Sequence, residues 1–92
     1  MNTTKMKLLP ILLLFPFFAF SQPDKYFKSG QELQLAENWN EAIVHYQIAL
    51  EQNPNHEDAL FNHAICAMRL DKMTVVKKDI NNLLSINPNH LQ

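Results

Sequence analysis

The chain has one glycine, Gly30, and one cysteine, Cys66. With a single glycine there is no glycine-rich loop whose backbone N–H groups could cradle a phosphate, which removes the common nucleotide-binding motifs. A lone thiol cannot close an internal disulfide, so no covalent staple holds the fold. Lying between Ile65 and Ala67 in an apolar stretch, Cys66 reads as a small buried hydrophobe. The histidines His45, His56, His63 and His90 form no HExxH run, and no cysteine pair has zinc spacing. His56 and His63 lie seven apart, but His56 belongs to a turn that His90 occupies again later in the chain, so a turn role is expected rather than metal ligation. No serine or cysteine stands in a recognisable nucleophile setting. The expectation is a protein with no catalytic residues, no cofactor and no metal.

Excess positive charge is also missing. The chain carries 8 basic and 9 acidic side chains, and two of the basic ones, Lys5 and Lys7, stand at the start of a leader. Leu8 to Phe20 is apolar apart from Pro10 and Pro16, and Ala19 and Ser21 place small residues at the −3 and −1 positions of a cut before Gln22. That arrangement is expected of a secretory signal peptide at residues 1–21. Spanning a membrane is the other reading. The apolar run would reach only about 20 Å at ~1.5 Å per residue against a ~30 Å core, and its prolines would interrupt the helix. A membrane association is therefore expected only through an uncleaved leader. No cysteine follows the apolar run to carry a lipid. Export to the periplasm or the outside of the cell follows, with residues 22–92 as the domain. Once Lys5 and Lys7 are gone, 6 basic side chains face 9 acidic ones. The only adjacent basic pair left is Lys77 and Lys78, so a nucleic-acid backbone has no basic patch to meet.

What the sequence does contain is a repeat. Asn53-Pro54-Asn55-His56 returns as Asn87-Pro88-Asn89-His90, 34 positions later. This is the length that one helix-turn-helix unit needs to stack on the next. Apolar residues at helical spacing predict four helices, over about 24–37, 41–52, 57–70 and 74–86. Asn38, Trp39 and Asn40 read as a polar turn with Asn40 as N-cap, Asn55 and Asp58 as a capping box, and Thr74 as the cap of the fourth helix. Pro54 and Pro88 end the second and fourth helices, since proline lacks the N–H and restricts the residue before it.

On these residues the chain resembles the tetratricopeptide repeat family, with units at 23–56 and 57–90. The family's pattern of large, small and proline positions is met in the first unit by Tyr26, Gly30, Leu33, Ala42, Tyr46, Ala49 and Pro54. Ser29 stands where the family usually has leucine. The second unit supplies Leu60, Ala64, Ala67, Val76, Ile80, Leu83 and Pro88, of which Ala67, Val76 and Leu83 depart in size. The resemblance implies an all-α fold: two tandem helix-turn-helix hairpins forming a short right-handed α-solenoid.

It also implies a binding scaffold whose concave face is lined by the first helix of each unit. The positions that the family presents there are Asp24, Phe27, Gln31, Gln34 and Leu35, then Asp58, Phe61, Ile65, Met68 and Arg69. From these, Phe27, Gln31, Gln34, Phe61, Ile65, Met68 and Arg69 are the candidate protein- or peptide-binding residues. An apolar face of this kind suits an amphipathic helix or an extended peptide. The basic clamp with which some members hold a C-terminal carboxylate is not matched, because Phe27 and Gln31 stand where its lysine and asparagine would be. Two units fall short of the three that usually make a solenoid stable alone. The alternative expectation is therefore a truncated or obligately oligomeric piece of a longer array, with a second copy of itself as partner and no independent ligand.

Overall fold

A computed structural model describes residues 23–91, so the leader read at residues 1–21 lies outside the described residues. Four α-helices and no strand are found among the described residues: α1 (Pro23–Leu35), α2 (Trp39–Gln52), α3 (Glu57–Arg69) and α4 (Met73–Ile86). Each connection is three or four residues long, which leaves consecutive helices no choice but to fold back on one another. Each helix packs against its neighbour in the chain, and α1 also reaches α3. None of the described helices is long and apolar enough to cross a membrane.

The 34-residue offset is written into the backbone hydrogen bonds. At the end of α1 the Asn38 N–H donates to the Leu33 carbonyl (2.8 Å) and the Glu37 N–H to Gln34 (2.9 Å). At the end of α3 the Lys72 N–H donates to Ala67 (2.8 Å) and the Asp71 N–H to Met68 (3.1 Å), each partner 34 positions on. In both turns one residue takes the left-handed conformation that a helix end of this type requires, Glu37 at φ 58° and Asp71 at φ 59°. The proline turns match as closely. Asn53 Oδ1 accepts from the Asn55 N–H at 3.2 Å and Asn87 Oδ1 from the Asn89 N–H at 3.1 Å. The His56 and His90 N–H groups then bond the carbonyls of Asn53 and Asn87, both at 3.1 Å.

This turn geometry corrects the expected helix starts. α2 and α4 begin at Trp39 and Met73, with Asn38 and Lys72 as N-caps and no side-chain cap, so Asn40 and Thr74 lie inside their helices rather than before them. The reason is economy of chain: Asn38 and Lys72 close the preceding helix with their N–H and open the next with their carbonyl, which accepts from Ala42 and Val76. The expected Asn55–Asp58 capping box is not formed either. His56 is the N-cap of α3, and its Nδ1 accepts from the Ala59 N–H at 3.2 Å. Asn55 is already held in the side-chain turn built by Asn53.

The core forms where small residues let the helices approach. Ala42, Tyr46, Ala49, Ala59, Cys66, Ala67 and Leu83 are wholly buried, with Ile43 and Val76 nearly so. Phe27, Leu33, Trp39, Leu70, Val75 and Ile80 pack against this cluster from its margin. Tyr46 is its largest fully buried side chain. It is accommodated because Gly30 opposite has no side chain, and its hydroxyl donates to Gln34 Oε1 at 2.5 Å. Burial at about 25 cal/mol per Å² makes an aromatic ring in this position one of the larger single contributions to the stability of a small domain.

Candidate binding surfaces

The first-helix residues fall into two groups. Phe27 and Gln34 are drawn into the structure. The Phe27 ring lies 4.4 Å from that of His56 and 5.8 Å from that of Tyr46, centroid to centroid, and Gln34 holds the Tyr46 hydroxyl. Both are half-buried, as is Ile65. Gln31, Phe61, Met68 and Arg69 are exposed, together with Leu35. The values for the apolar members are high for side chains of this type: Phe61 37 %, Met68 57 % and Leu35 85 %. Arg69 reaches across to α2, where its guanidinium lies 5.1 Å from the centre of the Trp39 ring. Phe61 repeats the contact made by Phe27, with its ring 5.6 Å from that of His90. The histidine of each proline turn thus covers the phenylalanine of its own unit.

Between α2 and α4, over α3, lies a groove of about 600 Å³. Ile43, Val44 and Ile48 form much of the α2 wall, and Lys78 stands on the α4 wall. His63 and Asp79 also line it. They are the two buried polar residues of the chain's described part, each 5 % exposed, with His63 Nδ1 2.5 Å from Asp79 Oδ2. With an ionised Asp79 accepting, the proton sits on Nδ1 and Nε2 is the ring nitrogen left over. A carboxylate orienting an imidazole in this way recurs in metal centres and catalytic triads. No group of three or more metal-ligating side chains occurs among the described residues. Cys66 is buried and its thiol is pushed up to about 11 by that burial, so it is not poised as a nucleophile.

Sequence reasoning did not bring His63 and Asp79 together. A signal was present. Asp79 stands in the stripe Val76, Ile80, Leu83 of α4, and His63 in the stripe Leu60, Ala64, Ala67 of α3. Two polar residues interrupting facing apolar stripes of one hairpin are expected to meet, since either alone would be buried without a partner.

No protein-family model, no curated protein and no solved structure matches this chain.

Proposed function

We propose that this is an exported scaffold of two tetratricopeptide-like units, stacked as the start of a right-handed solenoid, that binds a protein segment across its first helices. The observation that carries the reading is the exposure of Phe61, Met68 and Leu35 on α1 and α3, helices that touch each other. Exposed apolar side chains of this size on a small domain are a common mark of an interaction surface. The matched hydrogen bonds of the two units support the repeat part of the reading, because they are what a duplicated helix-turn-helix unit would retain. Gln31 and Arg69 supply polar contacts at the margin of that surface, as a rim does in protein interfaces.

The test uses Phe61→Glu with Met68→Glu, since Phe27, packed on Tyr46 and His56, would disturb the fold if charged. The full chain and this variant are compared by affinity capture from the envelope fraction after circular dichroism has shown equal helicity. Proteins recovered with the parent should be lost with the variant; equal recovery of the same proteins would remove the surface from consideration. Export has its own test. Amino-terminal sequencing of the protein outside the cytoplasm should begin at Gln22, and recovery from the cytoplasm with Met1 in place would reject it.

A further inference from the structure

We infer that the groove between α2 and α4 is a binding site for a small alkyl carboxylic acid, its carboxyl held by His63 and Lys78 and its chain laid along α2. The site is separate from the first-helix surface and does not depend on it.

The second nitrogen of the His63 ring carries the argument. Its Nδ1 is committed to Asp79 Oδ2, and no hydrogen bond is made to Nε2 among the described residues. A side-chain nitrogen sealed from water without a partner is costly, and among the described residues His45 Nδ1 and His90 Nδ1 are in that position. His63 Nε2 is not, although the residue as a whole is only 5 % exposed. It therefore meets open space, and the space that His63 lines is the groove. A polar atom is thus presented at the bottom of a slot whose α2 wall is Ile43, Val44 and Ile48, with Leu60 below and Val75 on the α4 side. Val44 is 53 % exposed, so apolar surface remains for an alkyl chain to cover. The volume of about 600 Å³ lies within the range of roughly 300–1,000 Å³ usual for small-molecule sites.

Charge selects the head group. Besides His63, the charged residues lining the groove are Glu51 on α2 and Lys72, Lys78 and Asp79 on the α4 side, two anions and two cations. With Asp79 accepting from the Nδ1–H, Nε2 is a lone pair that needs a donor. A carboxylic acid supplies its own proton there, and its second oxygen accepts from a lysine ammonium. Lys78 is placed for this, being next to Asp79 in the chain and making no ion pair among the described residues. Counted as anion plus proton, the acid adds no net charge, so the balance of the groove is kept. An alkylammonium would add an uncompensated cation, and an alcohol offers one oxygen where a carboxyl offers two. Hydrogen bonds with an ionised partner are about twice as strong as neutral ones, which makes the head group the source of selectivity.

Isothermal titration calorimetry of the full chain, purified from the cells that make it, with octanoate, 1-octanol and octylammonium decides the matter, since these share a chain and differ in head. Octanoate should bind saturably, at least about tenfold more tightly than either of the others. Nitrogen-15 NMR should show the Nε2 signal of His63 moving as octanoate is added, while the ring signals of His45, His56 and His90 stay in place. Lys78→Glu should weaken octanoate binding by at least about tenfold and leave that of 1-octanol unchanged. Val44→Glu should weaken both. Both residues are exposed, so circular dichroism should show unchanged helicity. His63→Leu combined with Asp79→Leu keeps the apolar walls and removes the head-group contact, so it should bind octanoate no better than 1-octanol. No saturation with octanoate, equal affinity for the three heads, an unmoved His63 signal, or a Lys78→Glu variant that binds octanoate like the parent would each overturn the inference. The Phe61→Glu, Met68→Glu variant should bind octanoate like the parent, so loss of partner capture and loss of acid binding can be told apart.

Discussion

The ring of Tyr46 occupies the space that a side chain on Gly30 would need. A Cβ at residue 30 would lie 2.7 Å from Cε1 and 2.8 Å from Cδ1 of that ring. Two effects then oppose each other in Gly30→Ala. Alanine favours the helix by up to about 1 kcal/mol over glycine. Overpacking a filled core costs about 1–3 kcal/mol, and Tyr46 has little freedom to yield, being fully buried with its hydroxyl tied to Gln34. Packing should win, leaving the variant about 1 kcal/mol less stable in urea unfolding. A midpoint at or above that of the parent would show that Tyr46 can move aside.

His63 and Asp79 join α3 to α4 by a buried bond, and neither residue is useful without the other. Asp79→Leu leaves a buried imidazole N–H without its acceptor, a change that typically costs about 1–3 kcal/mol. In a domain whose whole stability is on the order of 5–15 kcal/mol, that should bring the thermal midpoint down sharply. His63→Leu combined with Asp79→Leu removes both polar groups together and should cost clearly less than the two single changes added. Thermal unfolding of the four proteins measures the coupling. Strict additivity would mean that the pair makes no cooperative contribution.

Much of this architecture was legible before any coordinates. The 34-residue offset of the two NPNH runs located both units, and the small residues Gly30, Ala42, Ala49 and Ala64 are buried as close helix approach demands. The helix boundaries were less legible. Helix ends of the type found after α1 and α3 are usually marked by glycine or asparagine, whose backbones accept positive φ, but Glu37 and Asp71 stand there instead. With no such mark, the starts of α2 and α4 were displaced by one or two residues, toward the better-known cap residues Asn40 and Thr74. Histidine is likewise outside the usual list of N-caps, which hid the role of His56. On the first-helix face, Phe27 could not be told from Phe61 by position, because they are repeat equivalents. The difference comes from Tyr46, which gives Phe27 an aromatic neighbour where Ile80 stands in the second unit.

The two left-handed residues lead to a prediction of their own. A side chain at positive φ carries steric strain of roughly 1 kcal/mol that glycine does not, set against glycine's larger loss of freedom on folding. Glu37→Gly and Asp71→Gly should therefore each raise stability, by up to about 0.5 kcal/mol, and the double variant by nearly the sum, since the turns lie in separate hairpins. Both residues are exposed, so no packing is lost. Denaturant midpoints below that of the parent would show that the native side chains make compensating contacts there.

Alkaline pH should unfold this protein through Tyr46 and Cys66. Burial pushes the Tyr46 hydroxyl up to about 12 from its ordinary 10.0, with Cys66 beside it as a second cause and a bond to Asn62 acting the other way. Burial alone raises the Cys66 thiol to about 11 from 9.0. Both groups are acids whose folded form holds the proton more tightly than the unfolded chain does. Below pH 9.0 both states are protonated and folding is at full strength. As pH rises the unfolded chain loses its protons first, so it binds fewer than the native protein and stability falls. The decline should start near pH 9, steepen near 10 and level off around 12. Urea midpoints taken at half-unit intervals above about pH 8 would trace it. Cys66→Ala should remove the part of the slope that begins at 9 and leave the part that begins at 10. Stability that stays flat through this range, or rises, would show that the two groups ionise as readily in the folded protein as in the unfolded chain.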